Sequence, residues 1–241
     1  MSKKIQIGCS SFYNRKWVPL FYPENIPSKN WFEYYSNHFS TFEINATFYK
    51  FPTLRIMENW YARSPENFSY SVKAPKEITH LKKFKDCVEL IDKLYSVCES
   101  GLKEKLGCLL FQFPPSYAFS KENLDTIVSS LNPKYKNVVE FRNDSWWNDE
   151  VINTLTANNI SFCSVSHPKL PQHIVTQSPV IYLRLHGDKK LFYSEYTTEE
   201  LEYIKYQLFM SETKKEVFIY FNNTASEAGI KNAQLMKNIL K

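Results

Sequence analysis

Eight short segments rich in β-branched and aromatic residues recur along the chain, and each is separated from the next by a stretch that reads as a helix. The strand candidates are 5–10, 41–45, 68–73, 106–113, 137–142, 160–165, 180–186 and 216–221. Between them, apolar residues recur at helical spacing, giving seven or eight helices. Ser28, Thr53 and Ser120 stand where N-caps belong, Thr197 with Glu200 forms a capping box, and Gly101 is placed as the stop of a helix over 85–100. Strict alternation of this kind predicts an α/β protein with a parallel sheet. Its 241 residues, divided among eight units, match the ~250 residues of a (β/α)8 TIM-type barrel. A doubly wound open sheet is the alternative, but no GxGxxG loop follows a strand and the chain has only five glycines. No linker or repeat divides the sequence, so residues 1–241 are read as one domain.

Composition narrows the class. With 43% hydrophobic residues the chain is not a disordered protein. No run approaches the ~20 apolar residues of a membrane span, and the N-terminus lacks a secretory pattern, so a cytoplasmic protein is expected. Five scattered cysteines without a CxxC pair argue for reduced thiols rather than a disulfide framework or a zinc site. The net charge of +5 favours anionic partners, but its basic residues are too dispersed to define a nucleic-acid groove. Nothing in the chain indicates a cofactor, a metal or an oligomeric interface.

In a barrel, chemistry sits at the C-terminal ends of the strands. Those ends carry Glu43 and Asn45, Lys73, Gln112, Glu140 and Arg142, Arg184 and His186, and Asn222. Glu43, Glu140 and His186 are the candidate catalytic acid–base groups; Asn45, Lys73, Gln112, Arg142, Trp146, Arg184 and Asn222 are the candidate substrate contacts. In VVEFRNDSWW, Glu140 and Arg142 fall on one side of a strand end, either as a structural latch or as part of the chemistry. One of Trp146 and Trp147 is expected to line the pocket, with the other packed behind it. Arg142 and Arg184 are expected to form an anion site that Glu140 orients, a role in binding rather than in folding. Lys73 reads either as a solvated rim cation or as a phosphate-binding or imine-forming lysine.

The motifs IGCSSFYNRKW, FEINATFYKFP, VKAPKEITH, LGCLLFQFPPSY, VEFRNDSWW, YLRLHG with the later EYTTEEL, and YFNN together resemble the YecE-like family, domain of unknown function 72. The resemblance runs in order from residue 5 to about 223 and implies a TIM-type barrel without implying a reaction. In the first motif Cys9, Ser11 and Phe12 stand where the family more often has threonine, glycine and tryptophan, and Thr224 stands where it often has histidine. The expected function is an enzyme acting on a small phosphorylated or otherwise anionic sugar-like or nucleoside-like substrate. One alternative is a protein that binds single-stranded nucleic acid or a nucleotide through the rings of Phe12, Tyr13, Trp17, Trp146 and Trp147. Another is a glycoside hydrolase, which would need two carboxyls across one bond.

Overall fold

Eight parallel strands alternate with helices in the computed structural model, which describes residues 4–210 and 215–241. The strands are β1 (Ile5–Cys9), β2 (Thr41–Ile44), β3 (Ser69–Lys73), β4 (Leu106–Phe113), β5 (Lys136–Phe141), β6 (Ile160–Ser166), β7 (Ile181–Leu185) and β8 (Val217–Phe221). Hydrogen-bonded pairs run in the order β1-β8-β7-β6-β5-β4-β3-β2, all parallel. The gap between β1 and β2 is bridged by a side chain. Tyr35 accepts a hydrogen bond from the Cys9 amide (2.6 Å) and donates to the Thr41 carbonyl (3.0 Å). Gly8 permits this approach, because a Cβ there would stand 2.2 Å from the Thr41 carbonyl oxygen. The result is a (β/α)8 TIM-type barrel whose last seam is closed by a tyrosine instead of a backbone ladder.

The helices are α1 (Trp31–His38), α2 (Leu54–Ala62), α3 (Val88–Leu102), α4 (Lys121–Ser130), α5 (Asp149–Ala157), α6 (Thr198–Met210) and α7 (Ala228–Ile239). Caps expected from sequence form at Thr53, which accepts from the Ile56 amide, and at Ser120, which accepts from the Asn123 amide. Thr197 and Glu200 exchange side-chain to backbone hydrogen bonds as a capping box. Two expectations fail. Ser28 opens a short 3-10 turn and does not cap α1, and Gly101 lies within α3 instead of ending it. A Cβ on Gly101 would stand 2.3 Å from that of Met57, so this glycine serves the close packing of α2 on α3. Among the described residues no α-helix separates β6 from β7.

Most apolar side chains fill the layer between strands and helices, and a second, smaller core occupies the barrel interior with Cys108, Leu110, Val138, Cys163, Tyr182, Phe218 and Tyr220. Period-two alternation makes the interior legible: on β7, Tyr182, Arg184 and then His186 face inward in turn. Tyr220 holds its hydroxyl against Thr41 Oγ1 (2.5 Å) and Ser71 Oγ (2.9 Å), so the buried polar atoms midway up the barrel are satisfied. All five cysteines are buried and unbridged. Among the described residues no helix is long and apolar enough to cross a membrane.

Candidate functional site

The polar strand ends converge at one end of the barrel. At the base of the mouth Glu43, Glu140, Arg184 and His186 are all essentially sequestered from solvent. Arg184 lies between the two carboxylates. Its Nε and Nη2 donate to Glu43 (3.0 Å to Oε2 and 2.6 Å to Oε1), and Nη1 donates to Glu140 Oε2 at 2.6 Å. Glu43 also accepts from the Tyr182 hydroxyl at 2.6 Å and from Asn45 Nδ2 at 3.2 Å. Above this layer Arg142 donates through Nε to Glu140 and through Nη2 to His186 Nε2 at 3.0 Å.

This network fixes the ionisation of its members. Burial alone would raise the Glu140 carboxyl, but Arg142 and Arg184 overcome it and hold Glu140 well below the ordinary range. Burial and the Arg142 charge push His186 down to about 3. Because an arginine only donates, Nε2 of this neutral ring accepts from Arg142, while Nδ1 lies 2.6 Å from the side-chain amide of Asn222. Asn222 in turn meets Ser10 Oγ.

A histidine held neutral when folded makes stability depend on pH in a definite direction. The unfolded chain takes up this proton below about 6.5 and the folded one only near 3. Stability must therefore fall as pH drops below about 6.5, by about 1.4 kcal/mol per pH unit for one fully buried group. The half-buried His80 and His167, also lowered by burial, act with the same sign. Glu140 adds its loss only below the ordinary carboxylate range, since its folded pKa is depressed. Urea unfolding between pH 6.5 and 5 is expected to show this slope in wild type and a markedly shallower one in His186→Asn; equal slopes would show that His186 is not held neutral.

Above the buried layer opens a cavity of about 540 Å³, lined by Asn45, Phe48, Tyr49, Lys73, Gln112, Pro115, Arg142, His167, Lys169, Arg184, Leu191, Phe192 and Asn222. No Asp or Glu stands among these lining residues. Two carboxylates already match two guanidiniums beneath it, so Lys73 and Lys169 are surplus charges. The Lys73 Nζ lies 4.1 Å from the centre of the Phe48 ring and has no carboxylate within ion-pair reach and no hydrogen bond among the described residues. Burial, with Arg184 and Arg142 opposing Glu140 and Glu43, lowers Lys73 to about 8. Asn45 Oδ1 is a buried acceptor without a partner among the described residues. Gln112 uses its amide nitrogen on the Phe113 carbonyl, 2.8 Å away.

The structure corrects several sequence expectations. Neither Trp146 nor Trp147 lines the cavity. Trp146 is fully buried, stacked 4.0 Å from Phe141, with Nε1 donating to the Tyr117 carbonyl at 2.7 Å. Trp147 packs edge-on against Phe162 and His173. Phe141 is on the helix-facing side of β5, and the 3-10 turn at Asp144–Trp146 brings Trp146 over it. Phe12 and Trp17 are likewise taken up in packing, the former against Phe32, Phe42 and Trp60, and Tyr13 leans on Trp31. Arg184 is neutralised by Glu43 and Glu140 where it was expected to be open to an anion. Lys169, Leu191 and Phe192 join the cavity without having been singled out, and so does His167, which from sequence reads as a surface or loop residue. His167 was within reach of the sequence reading, because it directly follows the last residue of β6, Ser166.

Fold and mouth together define an α/β barrel protein with a cationic cavity at the C-terminal ends of its strands. The chain belongs to the family described as "Protein of unknown function DUF72", whose model matches residues 6–241. It is similar to UPF0759 protein YunF of Bacillus subtilis (strain 168), 25% identical over 252 residues that cover 91% of this chain and 89% of that protein. UPF0759 protein YecE of Escherichia coli (strain K12) is 27% identical over 113 residues, 47% of this chain and 39% of that protein. Among solved structures, a DUF72 family protein of Thermotoga maritima aligns with a TM-score of 0.81 at 25% identity, covering 99% of this chain and all of the other (100%). A DUF72 protein of Enterococcus faecalis shares the fold, with a TM-score of 0.83 at 20% identity over 98% of this chain and 95% of the other.

Proposed function

We propose that the chain is an enzyme acting on a small phosphorylated or carboxylated compound that also carries hydroxyl groups, bound in the mouth cavity. The observation that carries this reading is the cationic lining: Lys73, Arg142 and Lys169 face the cavity, and no carboxylate lines it. A site this short of negative charge attracts an oxyanion, and a guanidinium with unused N–H donors suits it geometrically. The unpartnered Asn45 Oδ1 suits a ligand hydroxyl. Its volume is that of a small-molecule site.

Within this reading Glu43 and Glu140 hold Arg184 and Arg142 in place instead of exchanging protons with substrate, because both carboxylates lie fully buried beneath guanidinium groups. The same geometry disfavours a glycoside hydrolase, whose two carboxyls must flank a scissile bond. His186 positions Arg142 through Nε2, and Lys73 is the group with both access and a pKa suited to proton transfer near neutrality. Calorimetric titration with glycerol phosphate and with glycerol separates the contributions of anion and hydroxyls. Glycerol phosphate is expected to bind at least about tenfold more tightly, a difference of about 1.4 kcal/mol; equal affinity, or binding by neither, would remove the anion reading.

A further inference from the structure

We infer that Lys73 is a covalent catalyst: its amine condenses with the carbonyl of an anionic aldehyde or ketone seated in the mouth cavity. This rests on the anion reading of the same site and extends it to a substrate class and a bond. Three observations carry it. Lys73 closes β3 with its Nζ turned to the Phe48 ring, so it is placed by an aromatic face and not by an acceptor that would claim its protons. No hydrogen bond or ion pair engages that Nζ among the described residues, whereas the buried Lys105 donates to the carbonyls of Tyr61 and Ser64. The other charges at this end are arranged around it: Arg184 on β7 and Glu43 on β2 are joined to each other, as are Glu140 on β5 and Arg142 just after it, with His80 following β3 against Phe48.

That arrangement supplies what an amine nucleophile needs, a lone pair at neutral pH and room beside it for a carbon electrophile. With its pKa lowered to about 8, roughly one-tenth of Lys73 is uncharged at pH 7, against well under a thousandth for an ordinary lysine. The anionic group of the substrate would lie toward Arg142 and Lys169, which leaves its carbonyl over Lys73. In the reaction the Nζ lone pair adds to the carbonyl carbon and the C=O pair moves onto oxygen. The nitrogen then expels that oxygen as water, which carries away both N–H protons, and a C=N bond replaces the C=O bond. Amine and carbonyl thus give imine and water with no oxidation. Such an imine withdraws electrons from the neighbouring carbon, so the reaction class is bond breaking or proton removal next to a carbonyl.

Reductive trapping tests this. The whole protein is treated at pH 7.5 with glycolaldehyde phosphate, or with glycolaldehyde, in the presence of cyanoborohydride, which delivers hydride to the imine carbon and fixes it as a secondary amine. Peptide mapping then gives the rate at every lysine. Lys73 is expected to react at least about tenfold faster than any exposed lysine with either aldehyde, to prefer the phosphorylated one, and to be slowed by inorganic phosphate. Lys73→Arg should lose the fast site while keeping the wild-type melting profile and the slow background. If inorganic phosphate binds by calorimetry but Lys73 is trapped no faster than exposed lysines, the imine inference is overturned and the anion reading stands. If Lys73 is trapped quickly without phosphate preference or protection, the anion reading falls, and the proposed substrate class falls with it.

Discussion

Arg184→Ala is expected to cost about 3–5 kcal/mol of folding stability, the largest effect of any single substitution at the mouth. The substitution removes the one guanidinium that Glu43 and Glu140 share, leaving Glu140 with Arg142 alone and Glu43 buried in the barrel without a cation beside it. An unpaired charge in a low-dielectric site then forces either protonation or local unfolding. Adding Glu43→Gln to Arg184→Ala removes the stranded charge and should recover at least about 1 kcal/mol, a non-additivity expected only of groups in one network. Urea unfolding of the two single variants and the double variant measures this coupling. If Arg184→Ala unfolds at nearly the wild-type urea concentration, the triad is not the structural base described above, and Arg184 regains the binding role that its position at a strand end first suggested.

Lys73→Met is expected to do the opposite: to stabilise the fold by about 0.5–1 kcal/mol while weakening inorganic phosphate binding at least about tenfold. Methionine keeps most of the lysine stem against Phe48 but removes an ammonium that burial and two arginines disfavour. A residue that costs stability where it stands, in a cavity lined by one charge sign, belongs to binding or chemistry rather than to folding. Phosphate titration and thermal unfolding on the same preparation check both halves. A variant that is less stable and binds phosphate as wild type would make Lys73 a structural residue.

How far the sequence disclosed this protein depends on the range of the interactions involved. Strand and helix positions were readable because alternation and apolar spacing are local, and Thr53, Ser120 and Thr197 with Glu200 acted as caps through bonds spanning three residues. Gly101 misled because its reason lies in Met57 on another helix. The Tyr35 bridge across the β1–β2 seam gave no local sign either, since it joins backbone groups of two strands from a helix lying between them in sequence. At the mouth, period-two geometry placed the polar residues at one end but could not pair them. Arg184 reaches Glu43 across 141 positions, and only that contact shows that its charge is already taken. Trp146 and Trp147 drew attention as rare residues after a strand end, yet Phe141 and Tyr117, stacked on Trp146, decide its position. Leu191 and Phe192 escaped because loop residues without periodicity carry no signal until the chain folds.

The central claim is that Lys73 is a half-buried cation of the mouth with no carboxylate partner among the described residues, whose charge responds to an anion bound in the same cavity. Titration of its Nζ by nitrogen-15 NMR, with and without inorganic phosphate, tests this directly. The free protein should give a midpoint of about 8, and saturating phosphate should raise it, because a nearby negative charge favours the ammonium form. A midpoint near the ordinary lysine value of about 10.4 in both conditions would contradict the claim.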